Sequence, residues 1–448
     1  MVVCPRSPDN FYPAASILWY PLAVECFEPL YCNGQSRAAG GIPSAAAVPR
    51  SFRLARRDDM VPHRKQYPEI AVDDKLIFQP VTLGDIALKN RILMSPMTRA
   101  RVPDRIPNAS SVTYYTQRAG AGLIVTEATT VSEQGNGSVS TPGIYSPEQI
   151  AAWKRVTDSV HERDGRIAVQ LWHTGRVSHS SLQPGNAVPV SASAVAGEVV
   201  TYTDNGFEPT TPPRALELEE IPGVVEQFAQ AARNAMEAGF DGVEIHSGSG
   251  YLPDQFLRDG TNRRTDAYGG SVENRCRFVL EVVDAVAAAI GAGRTGIRIS
   301  PMLETWDCKD SDPVALFSHL AAELSRRELA FLDLIERNDA PMAVSDDIDA
   351  ERNEAGVLAI RAAFGGTYVC NGCYNLDTAE EALRSGYATA VSFARDYISN
   401  PDLAERLRAG VPLNPQAEFT DYYGDGGDKG YIDFPAMEAG VAATRFGT

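Results

Sequence analysis

From Arg91 to Phe393 the chain repeats one pattern: a short run of apolar, largely β-branched residues, a polar loop, and a longer stretch with apolar positions every three or four residues. The runs are Arg91 to Pro96, Leu123 to Thr130, Ile167 to Trp172, Gly242 to His246, Thr295 to Ser300, Phe331 to Glu336, Thr367 to Cys370 and Ala388 to Phe393. Apolar residues without alternation mark strands buried on both faces. Helical spacing occupies Ser110 to Arg118, Ser146 to Arg163, Pro222 to Ala238, Ser271 to Ile290, Asp312 to Leu329, Asp349 to Ala363, Thr378 to Ser385 and Asn400 to Ala409. Strands alternating with helices imply parallel pairing. Eight repeats imply closure, so the pattern predicts an α/β fold, a (β/α)8 TIM barrel spanning 75–448. Ahead of it Lys75 to Lys89, with turn residues Gly84 and Asp85, reads as an N-terminal β-hairpin lid. The long segment Val177 to Glu220 reads as an excursion after the third strand.

Residues 1–74 do not share the pattern. Pro29 to Arg57 holds five arginines among Ser, Ala, Gly and Pro, and no acidic residue. That composition suits organelle import, while Asp9, Glu25 and Glu28 count against a transit peptide, so a targeting segment and a disordered extension are both open. The net charge of −17 argues against nucleic acid or an anionic membrane as a partner. Seven scattered cysteines form no disulfide framework, and a reducing compartment, the cytoplasm, is expected. The most apolar stretch, Ala14 to Val24, is too short to span a bilayer and contains Pro21.

In a barrel of this kind the active site forms at the C-terminal strand ends. Here those ends carry Pro96, Met97 and Thr98; Thr126, Glu127 and Ala128; Gln170, Leu171 and Trp172; His246; Arg298, Ile299 and Ser300; Glu336 and Arg337; Asn371 and Gly372; and Ala394 and Arg395. A mouth lined in this way suits a flat ligand, polar at its edges and anionic at one end. Gly372 in the turn after the seventh strand and Arg395 after the eighth form a phosphate site, because backbone N–H groups and a guanidinium converge there. Arg395 as an ordinary loop residue is the competing reading. The loop after the fourth strand gathers His246, Ser247, Ser249 and Tyr251 within six residues, the densest concentration of reactive groups in the chain.

The segments NRILMSPMTRAR (90–101), GLIVTEAT (122–129), AVQLWHTGRVSH (168–179), GVEIHSGSGYLPDQFLRDGTNRRTDAYGGSVENR (242–275), GIRISP (296–301), YVCNGCY (368–374), FARDYISNPDLAERL (393–407) and GYIDFP (430–435) follow in order, mostly one per strand end. Through them the chain resembles the Old Yellow Enzyme family of FMN-dependent ene-reductases, in its branch of N-ethylmaleimide and oxophytodienoate reductases. The resemblance covers Lys75 to Met437. It implies FMN as cofactor, free NAD(P)H as reductant, an α,β-unsaturated carbonyl or nitro compound as substrate, no metal, and a monomer or homodimer. By resemblance, Thr98 would bond the flavin C4 carbonyl, Gln170 its pyrimidine edge, and Arg298 the N1 and C2 oxygen region. Arg395, Gly372, Cys373 and Ala394 would meet the phosphate, and Pro96, Met97 and Ala128 the ring. His246 would contact cofactor and substrate carbonyl, Tyr251 would protonate the α-carbon, and Trp172 and Tyr423 would wall the substrate.

Three positions depart from the family pattern. Ser249 stands where Asn or a second His usually gives the substrate carbonyl a second donor, and its shorter side chain reaches less far. A catalytically altered FMN- or ligand-binding barrel is therefore an alternative, and a sugar-phosphate lyase or isomerase is a third. Cys373 and Ala394 replace glycines of the phosphate turn. Each adds a Cβ, so φ below zero is expected at both. Cys370 and Cys373 form a CxxC without a second pair, a weak signal for metal or redox chemistry.

Overall fold

The computed structural model describes residues 71–336, 350–424 and 427–437. The expectations for residues 1–70 and for Arg337 lie outside them. The barrel strands are β1 (Ile92–Met94), β2 (Leu123–Thr130), β3 (Ile167–Trp172), β4 (Gly242–Ser247), β5 (Thr295–Ile299), β6 (Phe331–Ile335), β7 (Tyr368–Asn371) and β8 (Ala390–Phe393). Each pairs in parallel with its neighbours in the sequence, and β8 pairs with β1 to close the barrel. β2, β3, β4 and β5 are buried at every position, which explains why they do not alternate. β1 is shorter than its apolar run. Ser95 N–H still bonds the Phe393 carbonyl at 2.9 Å, and Pro96, without an N–H, ends the ladder.

One main helix follows each strand, with shorter helices beside some: α1 (Ala109–Gln117), α2 (Pro147–His161), α3 (Ile221–Glu237), α4 (Val272–Ile290), α5 (Pro313–Ser325), α6 (Ala350–Ala363), α7 (Leu376–Arg384) and α8 (Leu403–Ala409). Their starts are written locally. Asn108, Ser146 and Asn375 form reciprocal capping boxes, Ser271 and Asp312 cap with their side chains, and Pro147, Pro222 and Pro313 occupy the first turn where no N–H is needed. α3 buries Ile221, Val224, Phe228, Ala231, Ala232 and Ala235, one stripe at helical spacing facing the barrel.

The hairpin joins Val81–Leu83 to Ile86–Leu88 and closes the end of the barrel opposite the active-site mouth. Leu83, Ile86 and Leu88 pack on Leu93, Leu123, Ala168, Phe331, Val369 and Ala390, which lie at or near the strand starts. Its turn depends on Gly84, with φ +56° and a backbone so close to Gly293 that a Cβ would lie 2.3 Å from the carbonyl oxygen. The excursion after β3 contains an antiparallel hairpin, Val200–Thr203 with Gly206–Pro209, and a two-residue parallel pair, Val190–Ser191 with Arg214–Ala215.

Candidate active site

Strand register builds the site. Ala128 lies opposite Gln170, Gln170 opposite Glu244, His246 opposite Arg298, and Arg298 opposite Asp333. Polar side chains from four strands thus meet near the mouth, with Ala128 of β2 beside them. The Gln170 amide donates to Glu244 Oε1 at 2.8 Å. Arg298 donates to Asp333 through Nη1 and to Asn371 Oδ1 at 3.1 Å through Nη2. Asn371 in turn donates to Ser392 O at 2.9 Å, which fixes its amide orientation.

This layer is nearly dry, and its electrostatics follow from that. Burial pushes the Glu244 and Asp333 carboxyls up; Asp333 adds to the rise at Glu244, and Arg298 counters it at both. One guanidinium beside two buried acids balances only part of their charge, which favours the protonated form of the pair. Burial, and then Arg298, push the His246 imidazole down to about 3, so it is neutral at physiological pH. His246 Nδ1, Glu244 Oε2, Asp333 Oδ1 and Trp172 Nε1 are buried without a partner within the protein. Buried polar atoms are rarely left so, and these four sit among strand ends where a ligand would complete them.

At the end of β4 the chain turns sharply. Ser249 has φ +55°, and its N–H donates to Ser300 Oγ at 2.7 Å. Tyr251 follows at the start of the short helix Leu252–Leu257, where Pro253 occupies the first turn at no hydrogen-bond cost. The Tyr251 ring stands edge-on to Trp172, centroids 5.0 Å apart, and to His246 at 5.2 Å. Burial, with Tyr423 next, pushes the Tyr251 phenol well up. Tyr423 itself is 43% exposed and packs on Phe419, so it is a rim residue.

On the opposite side, Arg395 Nη2 lies 2.8 Å from Cys373 Sγ, which brings the turns after β7 and β8 together. Ala394 has φ −103°, as its Cβ requires. Cys373 does not follow that expectation: its φ is +55°, so this residue takes the left-handed conformation that a glycine would adopt freely. The turn is braced by Glu336, whose carboxylate accepts from the Tyr368, Tyr374 and Tyr387 hydroxyls, each at 2.7 Å. Glu336 is thus engaged by tyrosines. Cys370 is buried while Cys373 is exposed, and no cluster able to hold a metal occurs among the described residues. Pro96, Met97 and Thr98 are half-buried at the end of β1. The segment after them is tied down by Glu127, which accepts from the Arg99 and Ala100 N–H groups at 3.1 and 3.3 Å.

A model of the NADH:flavin oxidoreductase / NADH oxidase family matches residues 76–414. The chain belongs to that family, the Old Yellow Enzymes. It is 44% identical over 358 residues to the putative 12-oxophytodienoate reductase 5 of Oryza sativa subsp. japonica, covering 79% of this chain and 93% of that protein. Among solved structures it superposes on morphinone reductase in complex with tetrahydroNAD with a TM-score of 0.75, at 46% identity, covering 81% of this chain and 98% of the other. The Old Yellow Enzyme homologue from Zymomonas mobilis gives the same TM-score at 41% identity, covering 81% and 99%. FMN is the cofactor, and the layer described above fits it. A planar ring with carbonyl and N–H groups along one edge matches a guanidinium, an amide and unpartnered buried polar atoms in one plane of the mouth.

Sequence reasoning passed over Glu244 and Asp333 as site residues, and placed Asn371 at the seventh strand's end without its bond to Arg298. The first two had a visible signal, since each is an acid in the middle of an otherwise apolar run, and such residues are buried only when engaged.

Proposed function

We propose that this protein is an NAD(P)H-dependent ene-reductase that saturates the C=C bond of α,β-unsaturated carbonyl compounds, with nitro compounds as a second group. The observation that carries the reading is the packing of His246, Tyr251 and Trp172 at the end of β4, beside Arg298 in the flavin-compatible layer. FMN, when bound, supplies a hydride received from NAD(P)H. Gln170, oriented by Glu244, holds the pyrimidine edge. Arg298, oriented by Asp333 and Asn371, neutralises charge near N1, and Thr98 donates to the C4 carbonyl. Arg395 with the turn Gly372 and Cys373 holds the phosphate, and Pro96, Met97, Ala128 and Ala394 shape the surface around the cofactor.

The chain's own groups divide the remaining work. A neutral His246 donates an N–H to the substrate carbonyl and polarises it, but is far too weak an acid to transfer that proton. Tyr251, held protonated, is the acid: its O–H bond breaks as a C–H bond forms at the α-carbon, while the β-carbon takes the hydride. The phenolate recovers its proton from water, so each turnover consumes NAD(P)H and one proton. Ser249 contributes the second carbonyl donor, directly or through a water. Trp172 and Tyr423 border the substrate. Nothing in the geometry favours the binding-only alternative, because His246, Tyr251 and a hydroxyl at 249 are all present at one turn.

Among the described residues no helix is long and apolar enough to cross a membrane. Buried thiols at Cys276, Cys308 and Cys370 support a reducing compartment such as the cytoplasm.

The test is anaerobic stopped-flow of the purified holoenzyme at the oxidised-flavin band. NADPH should bleach the band and 2-cyclohexenone should restore it. Bleaching without recovery on any enone would refute the ene-reductase reading and leave the flavin assignment standing.

A further inference from the structure

The turn between β7 and α7 is fixed at both ends and strained in the middle. At its start the Asn371 amide donates to Ser392 O and accepts from Arg298, while the Asn371 carbonyl accepts from Glu336 N–H at 2.8 Å. At its finish Asn375 caps α7, accepting from the Asp377 and Thr378 N–H groups at 3.0 Å each. Between them stands Cys373 with φ +55°, a conformation that such a side chain rarely holds unless its surroundings impose it.

Tyr374, the next residue, supplies a tie. Its hydroxyl donates to Glu336 Oε2 at 2.7 Å, and its half-buried ring packs on the barrel core. Glu336, 8% exposed, is itself held: Oε1 accepts from Tyr368 in β7 and from Tyr387 ahead of β8, both at 2.7 Å. Arg361 of α6 lies over the Tyr368 ring, 4.6 Å from its centroid, and donates to the Tyr387 carbonyl at 2.9 Å. One carboxylate therefore joins β6, β7, the turn after β7 and the approach to β8. Of its three hydroxyl partners, Tyr374 is the one that belongs to the turn. With Asn371 and Tyr374 both anchored, Gly372 and Cys373 between them have little room to relax.

We propose that Tyr374 is a positioning residue for the phosphate turn, its bond to Glu336 holding Gly372 and Cys373 in the shape that meets an anion beside Arg395, so that preference for FMN over unphosphorylated riboflavin depends on it. The inference rests on the reading of Gly372, Cys373 and Arg395 as the phosphate site. A phosphate is gripped by direction as well as by charge, because backbone N–H groups must converge on its oxygens, and a turn that relaxes to negative φ points them elsewhere. A glycine at 373 would take the left-handed conformation unaided. A cysteine needs it imposed.

The test compares two flavins. Holoenzyme stripped of its cofactor is titrated with FMN and with riboflavin, read by flavin fluorescence, for the native chain, Tyr374→Phe, Tyr387→Phe, Cys373→Gly, and Tyr374→Phe combined with Cys373→Gly. Tyr374→Phe should weaken FMN binding about tenfold, the consequence of losing one hydrogen bond to a charged group, and leave riboflavin binding within about twofold. Tyr387→Phe deletes a bond to the same carboxylate from outside the turn and should keep the native preference. In the Cys373→Gly background, Tyr374→Phe should cost less than about threefold, since glycine holds the turn's conformation without help. Equal weakening of both flavins by Tyr374→Phe, the same loss of preference in Tyr387→Phe, or an undiminished loss in the glycine background overturns the proposal while the phosphate site stands. A native chain that binds the two flavins alike overturns the phosphate site and the proposal with it.

Discussion

Replacing Ser249 by Asn should make this enzyme faster. The backbone accommodates the change, since residue 249 has φ +55° and Asn tolerates the left-handed region better than Ser. The anchoring bond from its N–H to Ser300 Oγ, 2.7 Å, involves no side-chain atom of residue 249 and survives. What changes is reach: an amide nitrogen extends beyond the serine hydroxyl and can meet the substrate carbonyl directly beside His246. A hydrogen bond to a group gaining negative charge is worth about 1.5–3 kcal/mol. Ordering the longer side chain costs roughly 0.5–1 kcal/mol, and displacing a bridging water changes little more. The net gain is about 0.5–2.5 kcal/mol, or roughly 2- to 70-fold in reoxidation rate. Stopped-flow reoxidation by 2-cyclohexenone measures it, with NADPH bleaching as the internal control, since hydride delivery to the cofactor involves no substrate carbonyl. An unchanged reoxidation rate with bleaching intact would refute the assignment of residue 249 to the carbonyl site.

Other outcomes follow from the buried charges. Because the Glu244 carboxyl is pushed towards its neutral form, Glu244→Gln should bind FMN within about threefold of the native protein. Glu244→Leu, which strands the Gln170 amide, should lose about tenfold, by flavin-fluorescence titration. Arg298→Met leaves Asp333 unpaired and should destabilise the apoprotein by about 3 kcal/mol in urea unfolding at pH 8. The loss should be smaller at pH 5, where the Asp333 carboxyl, shifted up, is more fully protonated when folded. His173 and His246 are both pushed down to about 3 by burial, while in the unfolded chain each takes up a proton near pH 6.5. The unfolded state then binds more protons between those values, so stability falls as pH drops below 6.5, by up to about 1.4 kcal/mol per pH unit for each histidine. His246→Asn should remove its share of that slope in apoprotein urea titrations, and an unaltered slope would count against a buried neutral imidazole.

The barrel was legible because each strand is an apolar run bounded by Gly, Pro or polar residues, and five of the eight helices begin at a side-chain cap. The ends were less so, for physical reasons. β1 stops early because Pro96 has no N–H, and α5 stops at Ser325 because the chain must turn into β6, with Glu328 taking φ +51°. In the site, the residues flanking the mouth were legible from their place at strand ends. The pairs Gln170 with Glu244 and Arg298 with Asp333 were not, because a one-residue change of register between strands would have separated them, and register is set by the whole barrel. Backbone angles were harder to reach: the glycine usual at position 373 was the one signal that Cys373 takes a glycine's conformation, and nothing in Thr305, Trp306 and Asp307 signals two left-handed residues in succession.

The seam between β8 and β1 joins opposite ends of the domain's sequence, and residues proposed to hold the cofactor lie on both sides of it: Pro96, Met97 and Thr98 beyond β1, Ala394 and Arg395 beyond β8. A chain that has not yet brought these ends together holds half a binding site. Capture of FMN during refolding is therefore a clock for the last event of assembly, ring closure, and should lag behind the appearance of helical structure. By mass action the cofactor then acts as a clasp, adding to the free energy that keeps the ring shut in proportion to the logarithm of its concentration.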